Sequence, residues 1–310
     1  MNTFRLFPQR AATLADDVDA LYFFLCAVTA FFTVLIFVLI VYFALKYNRR
    51  RGIKPQNVHT SYMLEAVWTA IPFALVMIMF GWGARVYVRS QTAPRGAMEI
   101  HVVAKQWMWK TQQPTGQREI NGLHVPVNTP VKLVMASQDV IHSFYVPAFR
   151  IKRDVVPGRY NTMWFSATTP GEYHLFCAEY CGSHHSAMIG QVVVMEAGDY
   201  AQWLAGVPAD EPPVRAGEKL FARFSCNTCH GQRAPTLAGL YGRNVLLDNG
   251  QTITADDEYV RESILDPRAK MVAGYAPLMP TYQGQMTEEQ LLDLMAYIKS
   301  LKSAATQPAS

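Results

Sequence analysis

The stretch "CAEYCGSHHSAM", Cys177 to Met188, sets two cysteines four residues apart, a histidine four beyond the second and a methionine three beyond that. Two readings compete. In an exported segment, a cysteine pair at this spacing can close a disulfide. Alternatively, thiolate, thioether and imidazole together are the soft donor set that selects copper, and two cysteines, unlike one, can bridge two coppers that share an electron. Sharing spreads the charge change over two metals and several ligands, so the geometry barely responds to redox. The choice depends on what surrounds the stretch.

The chain has 310 residues, 50% of them hydrophobic and 17% charged, which is apolar for a protein that buries only its own core. Its 28 Lys and Arg against 24 Asp and Glu leave a formal charge of +4, too small to argue for nucleic acid. The segment "KYNRRRGIK", Lys46 to Lys54, carries five of those positive charges and no negative one, so the remainder sums to −1. This basic loop lies between uncharged runs of 26 residues (Ala20 to Leu45) and 19 residues (Ala66 to Ala84). About 20 apolar residues span a bilayer as helix, so two transmembrane helices are expected, at about 20–45 and 64–86. The positive-inside rule places the basic loop in the cytoplasm. The acidic "DDVD", Asp16 to Asp19, precedes the first helix on the other side, and both termini and everything beyond about Val88 are extracytoplasmic. A cleavable signal peptide is not evident in "MNTFRLFPQRAA".

From Met98 to Met195 the texture becomes β-rich. "EIHVVAKQWMW", "VKLVMAS", "YNTMWFSA", "EYHLFCA" and "GQVVVME" are candidate strands, separated by "PTGQ", "VPVNTP", "VVPGR" and "TTPG". That spacing suggests an all-β sandwich or barrel, and the cysteine stretch falls in the loop between the last two strands. Ala205 to Val214 reads as a Pro- and acid-containing linker. Beyond it the chain turns helical, and "TEEQLLDLMAYIKSL" opens on a capping-box pattern, Thr287 with Gln290. The expected division is 1–92 for the N-terminal segment and transmembrane hairpin, 93–200 for the β domain, 201–214 for the linker, 215–303 for an all-α domain and 304–310 for a disordered tail.

"CNTCH" supplies Cys226, Cys229 and His230 at the spacing that attaches a c-type haem through two thioether bonds, with the histidine as proximal ligand. Met271, Met279 and Met286 compete for the second axial position. "PLMPTY" around Met279 resembles the Met-Pro-x-aromatic loop of class I cytochromes c, which favours Met279. "CHGQRAPTLAGLYGR" resembles the post-haem segment of the same family and gives Pro235 the role of orienting His230 through its carbonyl.

Two bridging thiolates need a terminal histidine on each copper. His184 and His185 are adjacent in the loop, and "SQDVIHSFYVP" offers His142 at a strand end. Together these residues resemble subunit II of haem-copper cytochrome c oxidase, with its binuclear CuA centre. The resemblance covers about Ala20 to Met195, followed by a fused cytochrome c domain from Arg215 to Leu301, as in the bacterial caa-type arrangement. It implies a cupredoxin-like barrel with Cys177 and Cys181 bridging, His142 and His185 as terminal ligands, and Met188 and the Glu179 carbonyl as weak axial ligands. His184 stays a loop residue or supports the ligands, and His59, His101, His124 and His174 take surface or structural roles. "AKQWMWK" resembles the electron-entry segment, with Trp107 as the entry residue. "EAVWTAIP" resembles the head of the second transmembrane helix, with Glu65 at the mouth of a proton-uptake pathway.

The implied function is that of an electron-entry subunit in a bacterial cell membrane, taking electrons from cytochrome c or an upstream quinol-oxidising complex through haem c and CuA. A catalytic subunit I, accompanied by further small membrane subunits, would reduce dioxygen to water and pump protons. This chain carries no oxygen-reducing site of its own. Magnesium at the interface with subunit I would involve the Glu179 carboxylate. A CuA-containing nitric oxide reductase subunit is the alternative, with a copper chaperone or redox sensor behind it.

Overall fold

The computed structural model describes residues 7–48, 50, 52, 61–206, 211–231 and 233–301. Two long helices come first, α1 (Thr13–Lys46) and α2 (Tyr62–Gln91), both long and apolar enough to cross a membrane. Each exceeds the uncharged run that predicts it, and Asp16 to Asp19 lie on α1 rather than ahead of it. The reason is pairing. Asp17 is bonded by Arg89 near the end of α2. Asp19, only 4% exposed, takes the Arg150 guanidinium through both carboxylate oxygens, at 2.8 and 2.9 Å. Such a fork is the strong form of ion pair. Since Trp164 also donates its indole N–H to the Arg89 carbonyl at 3.0 Å, the end of the helical hairpin that carries Asp17, Asp19 and Arg89 is bolted to the β domain.

That domain contains β1 (Met98–Lys105), β2 (Met108–Gln112), β3 (Arg118–Ile120), β4 (Gly122–Pro126), β5 (Pro130–Ser137), β6 (His142–Val146), β7 (Ile151–Val155), β8 (Asn161–Ser166), β9 (Gly171–Cys177) and β10 (Ile189–Met195). They form two five-stranded sheets, ordered β3-β2-β1-β5-β8 and β4-β10-β9-β6-β7. Pairing is mostly antiparallel, but β1 runs parallel to β5 and β4 to β10, so the chain crosses between sheets rather than meandering. Ile100, Val102, Leu133, Met135, Phe144 and Phe165 alternate inward and are fully buried between the layers. "EIHVVAKQWMW" is two strands, not one: the chain reverses at Gln106 and Trp107, where Asp139 accepts the Gln106 backbone N–H at 2.7 Å.

The remainder is helical, with a small β-hairpin: α3 (Ala197–Gly206), α4 (Pro213–Arg223), β11 (Asn244–Leu246), β12 (Thr252–Thr254), α5 (Asp257–Leu265) and α6 (Glu288–Ser300). Thr287 caps α6 in a reciprocal box with Gln290. The expected linker is largely taken up by structure, since α3 runs through Gly206 and α4 begins at Pro213. Residues 207–210, the tail 304–310 and residues 49, 51, 53 and 54 of the basic loop lie outside the described residues. The helical domain packs on the outer face of the first sheet. Val103, Val134, Ala136 and Tyr160 share one apolar core with Leu291, Leu294 and Met295.

Candidate functional site

His142 opens β6, Cys177 closes β9, and the loop from Ala178 to Met188 folds back over both before β10 begins. The Phe144–Cys177 register of the β6–β9 pair puts these two strand ends side by side. The thiols of Cys177 and Cys181 are free and 3.7 Å apart, well beyond the roughly 2.05 Å of a disulfide bond. The His142 Nδ1 lies 3.9 Å from the Cys177 sulfur, and the His185 Nδ1 lies 3.5 Å from the Cys181 sulfur. The Met188 thioether is 3.9 Å from Cys181, and the Glu179 carbonyl is 3.3 Å from Cys177. His142, Cys177 and Cys181 are buried, with ligand atoms all within 4.8 Å of one another. The structure thus brings together the six residues singled out around the cysteine stretch, and the soft donor set fits copper.

Burial pushes the Cys177 thiol up, but hydrogen bonds from His142 and from the Ser143 and Glu179 backbone outweigh it and bring it down to about 6. Burial and the neighbouring Cys177 push Cys181 up to about 12. The two thiols are thus shifted in opposite directions, Cys177 down and Cys181 up. For His142, burial disfavours the charged ring, but bonds to Cys177 and Asp139 win and raise its pKa.

Asp139 is the residue that motif reading left unassigned. One of its oxygens lies 2.8 Å from the His142 Nε2, so His142 donates there and leaves Nδ1 facing the sulfurs. Its other oxygen holds the Gln106 backbone. From that turn, the Gln106 side chain and the Trp107 indole both donate to the Cys181 carbonyl, at 2.7 and 3.2 Å. His184 sets its ring against Trp107, centroids 4.8 Å apart. In the sequence Asp139 stands three residues before His142, inside the segment "SQDVIHSFYVP" that singled out the histidine.

Among the histidines outside the cluster, His124 stacks on Trp203 and contacts Glu119 at 2.5 Å, and His101 lies 3.7 Å from Glu99. His59 lies outside the described residues. Glu65 sits in the first turn of α2, one turn beyond the Ser61 cap.

In the helical domain, Cys226, Cys229 and His230 follow the end of α4 and line a largely apolar cavity whose wall also includes Met279. Both thiols are free, and the Pro235 carbonyl lies 2.8 Å from the His230 Nδ1. That bond fixes the ring and leaves Nε2 as its ligand atom. Met271 and Met286 also reach the cavity wall. Two thiols, an oriented imidazole and a thioether on the wall of one largely apolar cavity fit a haem.

Three family models match the chain in order. Residues 2–82 match the transmembrane domain of cytochrome c oxidase subunit II, residues 101–197 its periplasmic domain, and residues 214–302 cytochrome c. The cytochrome c oxidase subunit 2 of Alkalihalophilus pseudofirmus is 30% identical over 298 residues, covering 89% of this chain and 84% of that protein.

The chain belongs to the cytochrome c oxidase subunit II family.

An alternative cytochrome c oxidase subunit 2 from Bradyrhizobium diazoefficiens is 31% identical over 208 residues, covering 55% of this chain and 74% of the relative. The crystal structure of the periplasmic domain of subunit II of cytochrome oxidase from Bradyrhizobium japonicum is 30% identical, covering 37% of this chain and 96% of that one, with a TM-score of 0.36. Membership makes this chain a membrane-anchored component of an oxidoreductase complex with a fused cytochrome c domain, and implies copper and haem c in general.

Proposed function

We propose that this chain is the electron-entry subunit of a bacterial respiratory oxidase, with its β and helical domains on the extracytoplasmic side. The observation that carries the reading is the convergence of Cys177, Cys181, His142, His185 and Met188 in the same chain as the CNTCH cavity. When bound, haem c and a binuclear copper centre supply one-electron chemistry that feeds a separate catalytic subunit, where dioxygen is reduced to water and protons are pumped. Cys177, Cys181, His142 and His185 would hold the copper centre, with Met188 and the Glu179 carbonyl as weaker donors. Cys226 and Cys229 would anchor the haem covalently, and His230 and Met279 would supply its iron ligands. Trp107, packed against the copper loop, is the entry residue for an external donor, cytochrome c or a quinol-oxidising complex. The exposed apolar faces of α1 and α2 meet subunit I, where Glu65 opens a proton path and the Glu179 carboxylate takes part in binding magnesium.

A metal and haem inventory of the purified complex, combined with paramagnetic resonance, tests this reading. Hyperfine splitting from two equivalent copper nuclei is expected, lost in Cys181→Ser and kept in His184→Ala. A single-nucleus pattern in the wild type would overturn the binuclear assignment, and loss in His184→Ala with retention in His185→Ala would reverse the choice of histidine. Oxygen rather than nitric oxide consumption separates this reading from a nitric oxide reductase.

A further inference from the structure

The two redox sites are joined by more than a chain segment. Polar contacts bind the helical domain to the first sheet along its whole outer face. Lys299 of α6 reaches Glu99 of β1 at 3.1 Å, and Arg118 of β3 lies 3.5 Å from Asp293 of α6. Arg261 of α5, only 7% exposed, bonds the Gly158 carbonyl and lies over Tyr160. Beneath these contacts Val103, Val134 and Ala136 are buried by the helical domain, each at 3% exposure or less. An apolar seam rimmed by charge pairs is the form of an interface that does not open readily.

One contact in this interface leads straight to the copper ligands. Glu289 lies in the first turn of α6, three residues after Met286 on the cavity wall. Its two oxygens accept from the Lys110 Nζ at 2.9 Å and from the Gln138 Nε2 at 2.7 Å. Gln138 is bonded through its backbone to Asp139, whose carboxylate holds His142. From the cavity wall to an imidazole of the sulfur cluster, the path is therefore backbone, one hydrogen bond, backbone and a second hydrogen bond. The competing path through Lys110 enters β2 at Trp109, whose indole nitrogen has no partner among the described residues and whose ring meets His142 across a 6.1 Å centroid separation. Electronic coupling decays faster through such a gap than through bonds.

We propose that the haem domain stays docked on the first sheet throughout turnover, and that electrons cross between domains at the Glu289–Gln138 hydrogen bond. The proposal rests on the copper and haem reading above. One electron is lost at iron, ferrous to ferric, and one is gained by the copper pair; no proton moves and no bond is made or broken.

Laser photoreduction of haem c in the intact oxidase complex, followed in the copper absorption band, gives the rate of the crossing. Gln138→Leu is expected to slow it severalfold while the copper resonance signal and the haem potential stay at wild-type values. Lys299→Met, which removes an interface contact away from the path, is expected to leave it near wild type. A protease site engineered between residues 207 and 210 and then cut should leave the rate independent of dilution. The proposal is overturned by a wild-type rate in Gln138→Leu, by equal slowing in Lys299→Met, or by a rate that falls on dilution after cleavage. If Gln138→Leu fails to assemble, Glu289→Ala carries the same comparison from the helix side. Absence of the two-copper signal in the wild type would refute the site reading, whereas the outcomes above refute the route alone.

Discussion

Asp139 satisfies three donors with two oxygens. His142 and the Val140 backbone share one, at 2.8 and 2.7 Å, and the Gln106 backbone takes the other at 2.7 Å. An asparagine has a single acceptor oxygen, so Asp139→Asn leaves one N–H facing another. A loss of about 1–3 kcal/mol is expected, read by denaturant unfolding of the metal-free chain. Asp139→Ala removes the partner of the His142 Nε2, and copper affinity should fall about 10–100-fold in a competition titration. Unchanged affinity would mean that the sulfurs alone orient His142. The haem side offers a parallel test. Met279→His should keep the covalent haem but lower its reduction potential, because imidazole favours ferric iron more than thioether does; a potentiometric titration decides it. Cys177, Cys181, His185 and Met188, like Cys226, Cys229 and His230, stood out because their spacing is local, whereas His142 and Met279 lie far along the chain and were singled out by the segments "SQDVIHSFYVP" and "PLMPTY". Asp139 was not, because its second partner arrives from a different sheet.

At the level of elements, the contact between α4 and α6 turns on Gly217. Glycine in a helix is normally worse than alanine by about 0.8–1.0 kcal/mol, so its presence calls for a packing reason. A β-carbon there would lie 2.0 Å from the Asp293 carbonyl oxygen and 2.8 Å from the Tyr297 β-carbon. Gly217→Ala is therefore expected to destabilise the helical domain by about 3 kcal/mol or more, despite alanine's better propensity. Denaturant unfolding monitored by haem absorbance measures it, and a neutral or stabilising result would contradict so close a crossing. Helix α6 could be read in advance because its cap and its 3.6-residue apolar period agree. The break between β1 and β2 could not, because the residues that force it, Asp139 and the Cys181 carbonyl, are remote in sequence.

At the scale of the whole molecule, the docked helical domain is the feature that sequence patterning concealed. "HVVAK" and "LVMAS" depart from strict alternation, placing Val103, Val134 and Ala136 on the outer face of the sheet. Such a face signals a cover but does not name it. The interface also holds two carboxylates with opposite titration behaviour. For Glu99, burial acts to raise the pKa, but His101, Lys299 and Lys132 outweigh it and hold the carboxyl far below the usual range. Its contribution to stability is present above the unfolded pKa and is lost as the pH falls. Asp293 goes the other way, pushed up from 3.8 to about 6 by burial, with Glu289 adding to the rise and Arg118, His101 and Gln112 opposing it. Between those values the folded chain holds a proton that the unfolded chain has released, so Asp293 makes stability fall as pH rises through this window. Asp293→Asn removes the charge that must be kept buried at neutral pH and retains an acceptor for Gln112. It is expected to raise the thermal midpoint of the helical domain in the full chain at pH 7 and to flatten the midpoint's pH dependence between 4 and 6. A lower midpoint at pH 7 would show instead that attraction to Arg118 exceeds the cost of burial, and that the interface is held at Asp293 by an ion pair rather than in spite of one.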